Sequence, residues 1–156
     1  MYLNVDLEIR SRSDLMPLVT ALQRRLSVLH AARVRGTFFA SFETSGMAHP
    51  PDIAIGRLAR ALLELPPSIQ KLWKQAGDRV FDIGVARAAG NTALPLALRR
   101  QTVKTIAHLN ARVALTLYPQ TWRAPTRLPN KRLERPGATS RADVAAPNAG
   151  RSAAKR

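Results

Sequence analysis

Two carboxylates near the beginning of the chain have a spacing that suits acid–base chemistry. Asp6 and Glu8 are two residues apart in the segment LNVDLEIR, so on an extended strand they would project from one face, about 7 Å apart. In that position one carboxylic acid can donate a proton while the other accepts one. The competing interpretation is the solvated polar face of an edge or outer strand, which Arg10 would continue, and the sequence favours it. Asp78 and Asp82 form no stronger pattern.

Other residue types that commonly carry catalysis or bind metals are sparse. The histidines His30, His49 and His108 are far apart, and the chain has no cysteine, whereas a structural metal site usually has about four ligands. We interpret them as ordinary surface or strand histidines, with His108 on the exposed side of a helix. No G-x-S-x-G motif and no glycine-rich phosphate loop occurs. The sequence therefore predicts no metal, no cofactor and no enzymatic activity, although catalytic residues assembled from distant segments remain an open alternative.

The chain is strongly basic, and its charge is unevenly distributed. It has 156 residues, with 25 Lys and Arg against 10 Asp and Glu, a formal net charge of +15. Residues 1–119 have a net charge of +8, and residues 120–156 have a net charge of +7. The second segment has four prolines and few large apolar side chains, so it cannot bury enough surface to offset the entropy of ordering it. We expect a folded domain over 1–119 and a disordered basic tail over 120–156.

The basic side chains are the main signal for a binding function. Arginines of the domain and of the tail could contact nucleic-acid phosphates and release counterions. Only 5% of the residues are aromatic, without the interleaving of aromatic and basic residues that is typical of single-strand readers. We therefore expect weak, non-specific polyanion binding. The candidate contacts are Arg24, Arg25, Arg33, Arg35, Lys131, Arg132 and Arg135.

The hydrophobic spacing predicts the elements that would position these residues. Apolar and polar residues alternate at the start of the chain, as in a half-buried strand, and Ser13 has the position of an N-cap for the helix that follows. Phe38, Ala40 and Phe42 share one face of a strand, and Gly36 can form the turn of a hairpin. The predicted elements are a strand at 3–10, a helix at 14–25, a hairpin of 26–33 and 36–44, helices at 53–64 and 68–76, strands at 79–87 and 94–98, a helix at 101–109 and a strand at 111–119.

This order of elements indicates a single α+β domain. Adjacent hairpins favour one mostly antiparallel sheet of about six strands, with three to four helices packed on one of its faces. Val113, Leu115 and Leu117 of the last strand are expected to face the core. Asp52 is expected to cap the helix that it precedes, and Gly77 to follow the end of the next one.

An apolar stripe on the central helices allows two interpretations. It could lie on a membrane surface, or it could form the underside of helices that cover a sheet, and the core interpretation is favoured. No run of about 20 apolar residues occurs, so no transmembrane helix is predicted. The stripe consists of Leu58, Leu62, Leu65, Leu72 and Trp73.

Three segments of residues 3–119 carry a resemblance to known proteins: FDIGV…LPLALRRQTVKTIAHLNARVALTLYP, the opening LEIRSRSDLMPLVTALQRR and the strand TFFASFE. They resemble a bacterial family of small α/β proteins designated a domain of unknown function. Members tend to have a short helix followed by a final strand that ends in Tyr-Pro. Where many members have a glycine before that strand, this chain has Asn110, which also tolerates a left-handed conformation. The resemblance implies the fold and no activity.

The tail resembles a second group of bacterial proteins. The segments PNKRLERPG and AGRSAAKR, within residues 129–156, are similar to the C-termini of proteins read from mobile gene cassettes of integrons. In those proteins recombination-site DNA is translated past the gene's own end. The resemblance implies that these codons were selected as DNA and that the arginines are a by-product. Deletion of 120–156 is then expected to leave the activity and solubility of the domain intact.

These observations predict a small cytoplasmic, non-enzymatic accessory or protein-interaction domain, such as an immunity-like or stress-related binder. The lack of cysteine suits a reducing compartment, and the opening MYLNVDLEIR has no signal-peptide pattern. A sheet edge or the face with Phe39 and Ser41 is expected to dock an unknown protein partner, in an oligomeric state that the sequence does not determine. The alternatives are a polyanion or nucleic-acid binder and an unrecognised enzyme.

Overall fold

The computed structural model describes residues 2–46, 49–86 and 95–119, which contain five strands and four helices. They belong to the first of two units into which the chain divides, Met1–Arg123. The tail predicted over 120–156, with Lys131, Arg132 and Arg135, lies outside the described residues. The elements are β1 (Tyr2–Ser11), α1 (Met16–Leu22), β2 (Leu26–Val34), β3 (Thr37–Thr44), α2 (Pro51–Leu63), α3 (Pro67–Gln75), β4 (Asp78–Ala86), α4 (Arg100–His108) and β5 (Arg112–Tyr118).

The five strands form one open sheet in the order β2-β3-β1-β4-β5. The pairs β2–β3, β3–β1 and β1–β4 are antiparallel, and β5 is parallel to β4. The first four strands and the helices between them have the split β-α-β connectivity of a ferredoxin-like unit. Because a parallel neighbour requires a crossover connection, α4 carries the chain from β4 to the start of β5.

The alternation of side chains along β1 divides the sheet into two faces. Leu7 and Ile9 are fully buried, and Leu7 lies opposite Phe42 of β3 and Phe81 of β4. These residues and the buried sides of the helices form one continuous apolar cluster. The intervening residues of the three central strands project from the other face, which none of the described helices covers.

Helix α2 provides much of the cover over the sheet. Ile55 and Leu58 are fully buried on one side of α2, as the three-residue spacing requires. Pro51 occupies the first turn, where its missing N–H leaves no helical hydrogen bond unmade. Leu65 and Trp73 are also buried, so the core interpretation of the apolar stripe is confirmed. None of the helices described in the structure is long and apolar enough to cross a membrane.

The β2–β3 hairpin has the predicted turn. Arg35 and Gly36 both have positive φ, 48° and 82°, as in the type I′ turn that matches the twist of two paired strands. Asn110, directly after α4, has φ 49°. Its predicted tolerance of a left-handed conformation is therefore confirmed, and the chain reverses there into β5.

The strand predicted at 94–98 is wrong for the part that the structure describes. Residues 95–98 form neither strand nor helix, and residue 94 lies outside the described residues. Pro95 has no N–H to donate to a neighbouring strand, so the alternation of leucines around it does not produce one. The described sheet accordingly has five strands instead of about six, and it is mixed, since β5 is parallel to its neighbour.

Two predicted helix ends are also different in the structure. Ser13 does not cap α1, because the N-cap position is occupied by Leu15 and no side chain caps the helix. Asp14 Oδ1 accepts from Met16 N–H at 2.9 Å, just before the helix. The helix begins after this Asx turn and is shorter than predicted. Gly77 directly follows the C-cap residue of α3, as predicted, but it does not adopt positive φ, since the preceding residue is already extended.

Asp52 lies within the first turn of α2, and its side chain bonds to the start of a different helix, α4. Its Oδ1 accepts hydrogen bonds from the Thr102 hydroxyl at 2.5 Å and from the Arg99 N–H at 3.0 Å. These bonds hold the pKa of Asp52 below its usual value of 3.8. Asp52 therefore connects the first turn of α2 to the first turn of α4, the helix that leads to β5.

The apolar side chains of β5 are exposed, so the prediction that they face the core is wrong. Val113, Leu115 and Leu117 are aligned with Phe81, Ile83 and Val85 of β4 on the helix side, yet they are 45%, 52% and 66% exposed. Strand β5 is the edge of the sheet, and the described helices pack over the strands further inside. The alternation correctly predicted the direction of these side chains, but not the extent of the helical layer.

Truncation of two leucines to alanine tests whether β1 is buried while β5 is exposed. Leu7 is fully buried at the centre of the sheet, so Leu7→Ala is expected to lower the free energy of unfolding by about 2–5 kcal/mol. Leu115 is half exposed, so Leu115→Ala is expected to lower it by less than about 1 kcal/mol. Denaturant unfolding followed by circular dichroism measures both. Equal losses would contradict the exposed position of β5.

Candidate functional site

The face of the sheet opposite the helices, named the open face below, carries the even-numbered residues of β1. Asn4, Asp6 and Glu8 project from it and are each partly buried. They are partly buried because β1 has a neighbouring strand on both sides, β3 and β4. The interpretation of Asp6 and Glu8 as the polar face of an edge or outer strand is therefore wrong, since their strand is central.

Three carboxylates lie side by side across the middle of the open face. Asp6 is directly opposite Glu43 of β3 and directly opposite Asp82 of β4, and neighbouring strands are about 4.8 Å apart. This set, Glu43, Asp6 and Asp82, is the carboxylate row. Like charges in opposing positions destabilise a sheet, so the packing of the helix side must hold the row together against its own repulsion.

Asp6, in the middle of the row, has an unusually high affinity for a proton. Burial is the main cause that raises the pKa of Asp6 from 3.8 to about 7, and the negative charges of the row and of Glu8 add to it. The hydrogen bond from Asn4 Nδ2 to Asp6 Oδ1, 2.8 Å long, opposes the rise. Near neutral pH a large fraction of the molecules therefore carry this proton. Such a carboxyl can exchange a proton at pH 7, or exchange the proton for another cation.

Side chains of β5 and a glycine of β4 shape the row at Asp82. The Thr116 hydroxyl donates to the Asp82 carboxylate and lies 2.8 Å from each oxygen. Burial raises the pKa of the Tyr118 hydroxyl, and the nearby charge of Asp82 raises it further. Gly84 provides the space for this arrangement, because a Cβ there would collide with Asn4 Oδ1 and lie 3.2 Å from the Tyr118 ring. At Asp82 the row is thus next to two side chains with hydroxyl groups, Thr116 and Tyr118.

Stacked cationic and aromatic side chains lie beside the row on the open face. The guanidinium carbon of Arg10 lies 4.7 Å from the centroid of the Phe39 ring, and the centroids of the His30 and Phe39 rings are 5.3 Å apart. Arg10 Nη2 also lies 3.7 Å from Glu8 Oε2. Phe39 and Ser41, the sequence candidates for a docking face, both lie on this surface because their register partners are Arg10 and Glu8.

Glu43 and Asp82 are the members of the site that sequence reasoning missed. They are far from Asp6 in sequence, and only the register of three strands brings the carboxylates together. A signal was present in the alternation, since Asp82 lies between Phe81 and Ile83 and must point away from the core that these two enter. The sequence does not show which strands are neighbours.

The predicted polyanion contacts that the structure describes do not form one patch. Arg24 and Arg25 lie in the turn before β2, whereas Arg33 and Arg35 lie at its other end, about 26 Å away along the strand. Arg25 pairs with Glu64, and Arg33 donates to two backbone oxygens. Each pair of arginines is therefore a separate local feature.

The three histidines lie in separate places. His30 is against Phe39 on the open face, His49 Nε2 is 2.5 Å from Arg57 Nη1, and His108 is exposed at the end of α4, as predicted. Within residues 2–46, 49–86 and 95–119, no three His, Cys, Asp or Glu side chains are arranged so that they could hold a metal ion.

Comparison with known proteins adds no assignment. No family model matches the chain, and no curated protein and no solved structure matches it. The two bacterial resemblances seen in the sequence therefore stay predictions. A ferredoxin-like connectivity identifies no function by itself, whereas the open face has a distinctive arrangement of carboxylates.

The pKa of Asp6 predicts how stability depends on pH. The folded protein binds this proton more tightly than the unfolded chain, so the contribution of Asp6 to stability falls as the pH rises from about 4 to about 7. Asp6→Asn keeps the oxygen that accepts from Asn4 and removes the charge. We expect it to raise the free energy of unfolding at about pH 8 by roughly 1–4 kcal/mol, as measured by denaturant unfolding across this pH range.

Asp14→Asn is the matched control for this experiment. Asp14 is an exposed carboxylate in the loop before α1, and an amide oxygen can keep its bond to the Met16 N–H. The control should leave the pH dependence of stability unchanged. If Asp6→Asn were less stable than the wild type at about pH 8, or kept the same pH dependence, the raised pKa of Asp6 would be contradicted.

Proposed function

We propose that this protein is a non-enzymatic interaction domain and that its open face binds a basic segment of a partner protein. The observation that carries the proposal is the position of Asp6, which has a carboxylate on either side and a pKa of about 7. An Arg or Lys side chain of the partner would replace the proton on Asp6. It would form charge-assisted hydrogen bonds with the row, which are stronger than bonds between neutral groups.

The distribution of charge supports this proposal. The chain has a net charge of +15, yet half of the acidic side chains of residues 1–119 are close together on the open face. Their mutual repulsion lowers stability, and a cluster of titratable groups kept at such a cost is typical of a functional surface. These acidic residues are Asp6, Glu8, Glu43 and Asp82.

The spacing of the carboxylates on the open face suits an extended segment. In an extended segment alternate side chains are about 7 Å apart, which is the spacing of Asp6 and Glu8 along β1. A partner with basic residues at every second position could therefore contact both.

Acid–base catalysis by Asp6 is a second candidate function. Its specific support is the pKa of about 7, because a general acid or base works best near the pH of the reaction. The two functions have different pH dependences. Binding of a cation should strengthen as Asp6 ionises above pH 7, whereas a reaction that needs Asp6 as the proton donor should slow down.

Polyanion binding through the basic surface has less support than binding of a basic segment or acid–base catalysis by Asp6. The described candidates Arg24, Arg25, Arg33 and Arg35 lie at opposite ends of β2, and the face of the sheet that no described helix covers carries the carboxylate row.

Two further parts of the proposal come from the sequence. The lack of cysteine suits a cytoplasmic location. The tail over 120–156 is proposed to be a passenger whose arginines do not serve the domain.

An arginine peptide tests the proposed function. The probe is a fluorescent, end-capped peptide of alternating Arg and Thr, titrated with the full chain at about 0.15 M salt, where charges are screened beyond about 8 Å. We expect Asp6→Asn and Glu43→Gln each to weaken binding about tenfold, because each removes a charged hydrogen-bond acceptor. Raising the pH from about 6 to about 8 should tighten binding to the wild type but not to Asp6→Asn.

The same peptide with citrulline in place of arginine is the matched control, since citrulline has a similar size and no charge. Asp14→Asn, which changes an acidic residue away from the open face, should bind the arginine peptide like the wild type. The proposal is overturned if the citrulline peptide binds as tightly as the arginine peptide. It is also overturned if Asp14→Asn and Asp6→Asn have equal effects.

A further inference from the structure

A cavity of about 210 Å³ lies where three helices end, on the side of the sheet away from the open face. Leu62 of α2 and Trp73 of α3 give it an apolar wall. Leu63 and Leu109 add to this apolar part, and none of the described residues that line the cavity is acidic. The polar lining side chains are Gln70, Lys74, Arg79, His108 and Asn110.

The carbonyl groups at the ends of α2 and α3 already have donors. The Gln70 amide donates to Leu63 O at 2.8 Å and to Leu65 O at 2.9 Å, which completes the end of α2. Arg79 Nη1 donates to Trp73 O at 3.1 Å and to Lys74 O at 3.0 Å, which completes the end of α3. These carbonyls would otherwise give the cavity an excess of acceptors.

The end of α4 is completed by its own backbone. Asn110, in the left-handed conformation, donates its N–H to Ala107 O at 2.9 Å, and Ala111 N–H donates to Ile106 O at 3.1 Å. This is the Schellman pattern, which satisfies the last carbonyls of a helix. With these helix-end carbonyls satisfied, the charged groups of the described lining that remain available are hydrogen-bond donors.

Those donors belong to three basic side chains. Within the described ranges, no carboxylate forms an ion pair with Lys74, Arg79 or His108. Arg79 Nε is shielded from solvent and has no acceptor in the described part of the chain, while the Arg79 guanidinium carbon lies 5.7 Å from the centroid of the Trp73 ring. A cation that is partly removed from water and incompletely hydrogen-bonded attracts an anion strongly.

We propose that this cavity binds a small organic oxyanion, a carboxylate or phosphate group attached to an apolar body. The oxyanion would lie against Lys74, Arg79 and His108, and the apolar body against Leu62 and Trp73. Arginine and lysine are the side chains that most often bind such groups. The site is separate from the carboxylate row, so it does not depend on the function proposed for the open face.

Binding of two aromatic anions tests the site. Benzoate and phenyl phosphate carry the two headgroups on the same ring, and benzamide is the neutral counterpart of benzoate. In the full chain with Trp122→Phe, Trp73 is the single tryptophan, so its fluorescence reports on the cavity. We expect at least one anion to change this fluorescence saturably and benzamide to bind at least about tenfold more weakly, with the stronger anion identifying the headgroup.

Lys74→Gln and Lys71→Gln form a matched pair, since both lysines are exposed on α3 and only Lys74 lines the cavity. At about 0.15 M salt, Lys74→Gln should weaken binding of the anion by about threefold to tenfold, whereas Lys71→Gln should leave it unchanged. Arg79→Met should abolish binding, and if that variant does not fold, the lysine pair decides. Equal effects of the two lysine variants, equal binding of benzamide, or no saturable change with either anion would overturn the proposal.

Discussion

The central position of β1 is the constraint on which the rest of the structure depends. This strand is hydrogen-bonded on both sides, so its alternation determines the composition of both faces at once. Leu7 and Ile9 must enter the core, and Asp6 must then project between Glu43 and Asp82. A shift of one residue would bury the carboxylates and expose the leucine and isoleucine. The packing of the apolar face therefore keeps three like charges together.

The two faces differ in the charge that each exposes, and this follows from the same arrangement. The open face has acceptors in excess, with Asp6 holding a proton near pH 7. The side with the helices has donors in excess where α2, α3 and α4 end, because Gln70, Arg79 and the turn at Asn110 satisfy the helix carbonyls. The net charge of +15 hides both features. The two proposed ligands, a basic segment and an organic oxyanion, would therefore bind to opposite sides of one small domain.

Local patterns in the sequence predicted the elements, and tertiary relations account for the errors. The alternation in β1, β3 and β4 and the turn at Arg35 and Gly36 follow from side-chain period and backbone preference, so they were predictable. The exposure of Leu115 depends on how far the helices extend over the sheet, which no local pattern contains. The capping of α4 by Asp52 and the position of Glu43 and Asp82 beside Asp6 depend on contacts between distant segments. Asp6 and Glu8 are close in sequence and could be predicted as a pair, whereas the sequence does not show that Glu43 and Asp82 lie beside Asp6.

The most direct test of this account is the titration of the Asp6 carboxyl group by nuclear magnetic resonance, with the side-chain carboxyl carbon as the probe. The account predicts a midpoint of about 7, and a lower midpoint in Glu43→Gln, because one of the neighbouring negative charges is removed. A midpoint near 4, the ordinary value for an aspartic acid, would contradict it. In that case the carboxylates would be independently solvated, and the open face would lose the property that distinguishes it as a site.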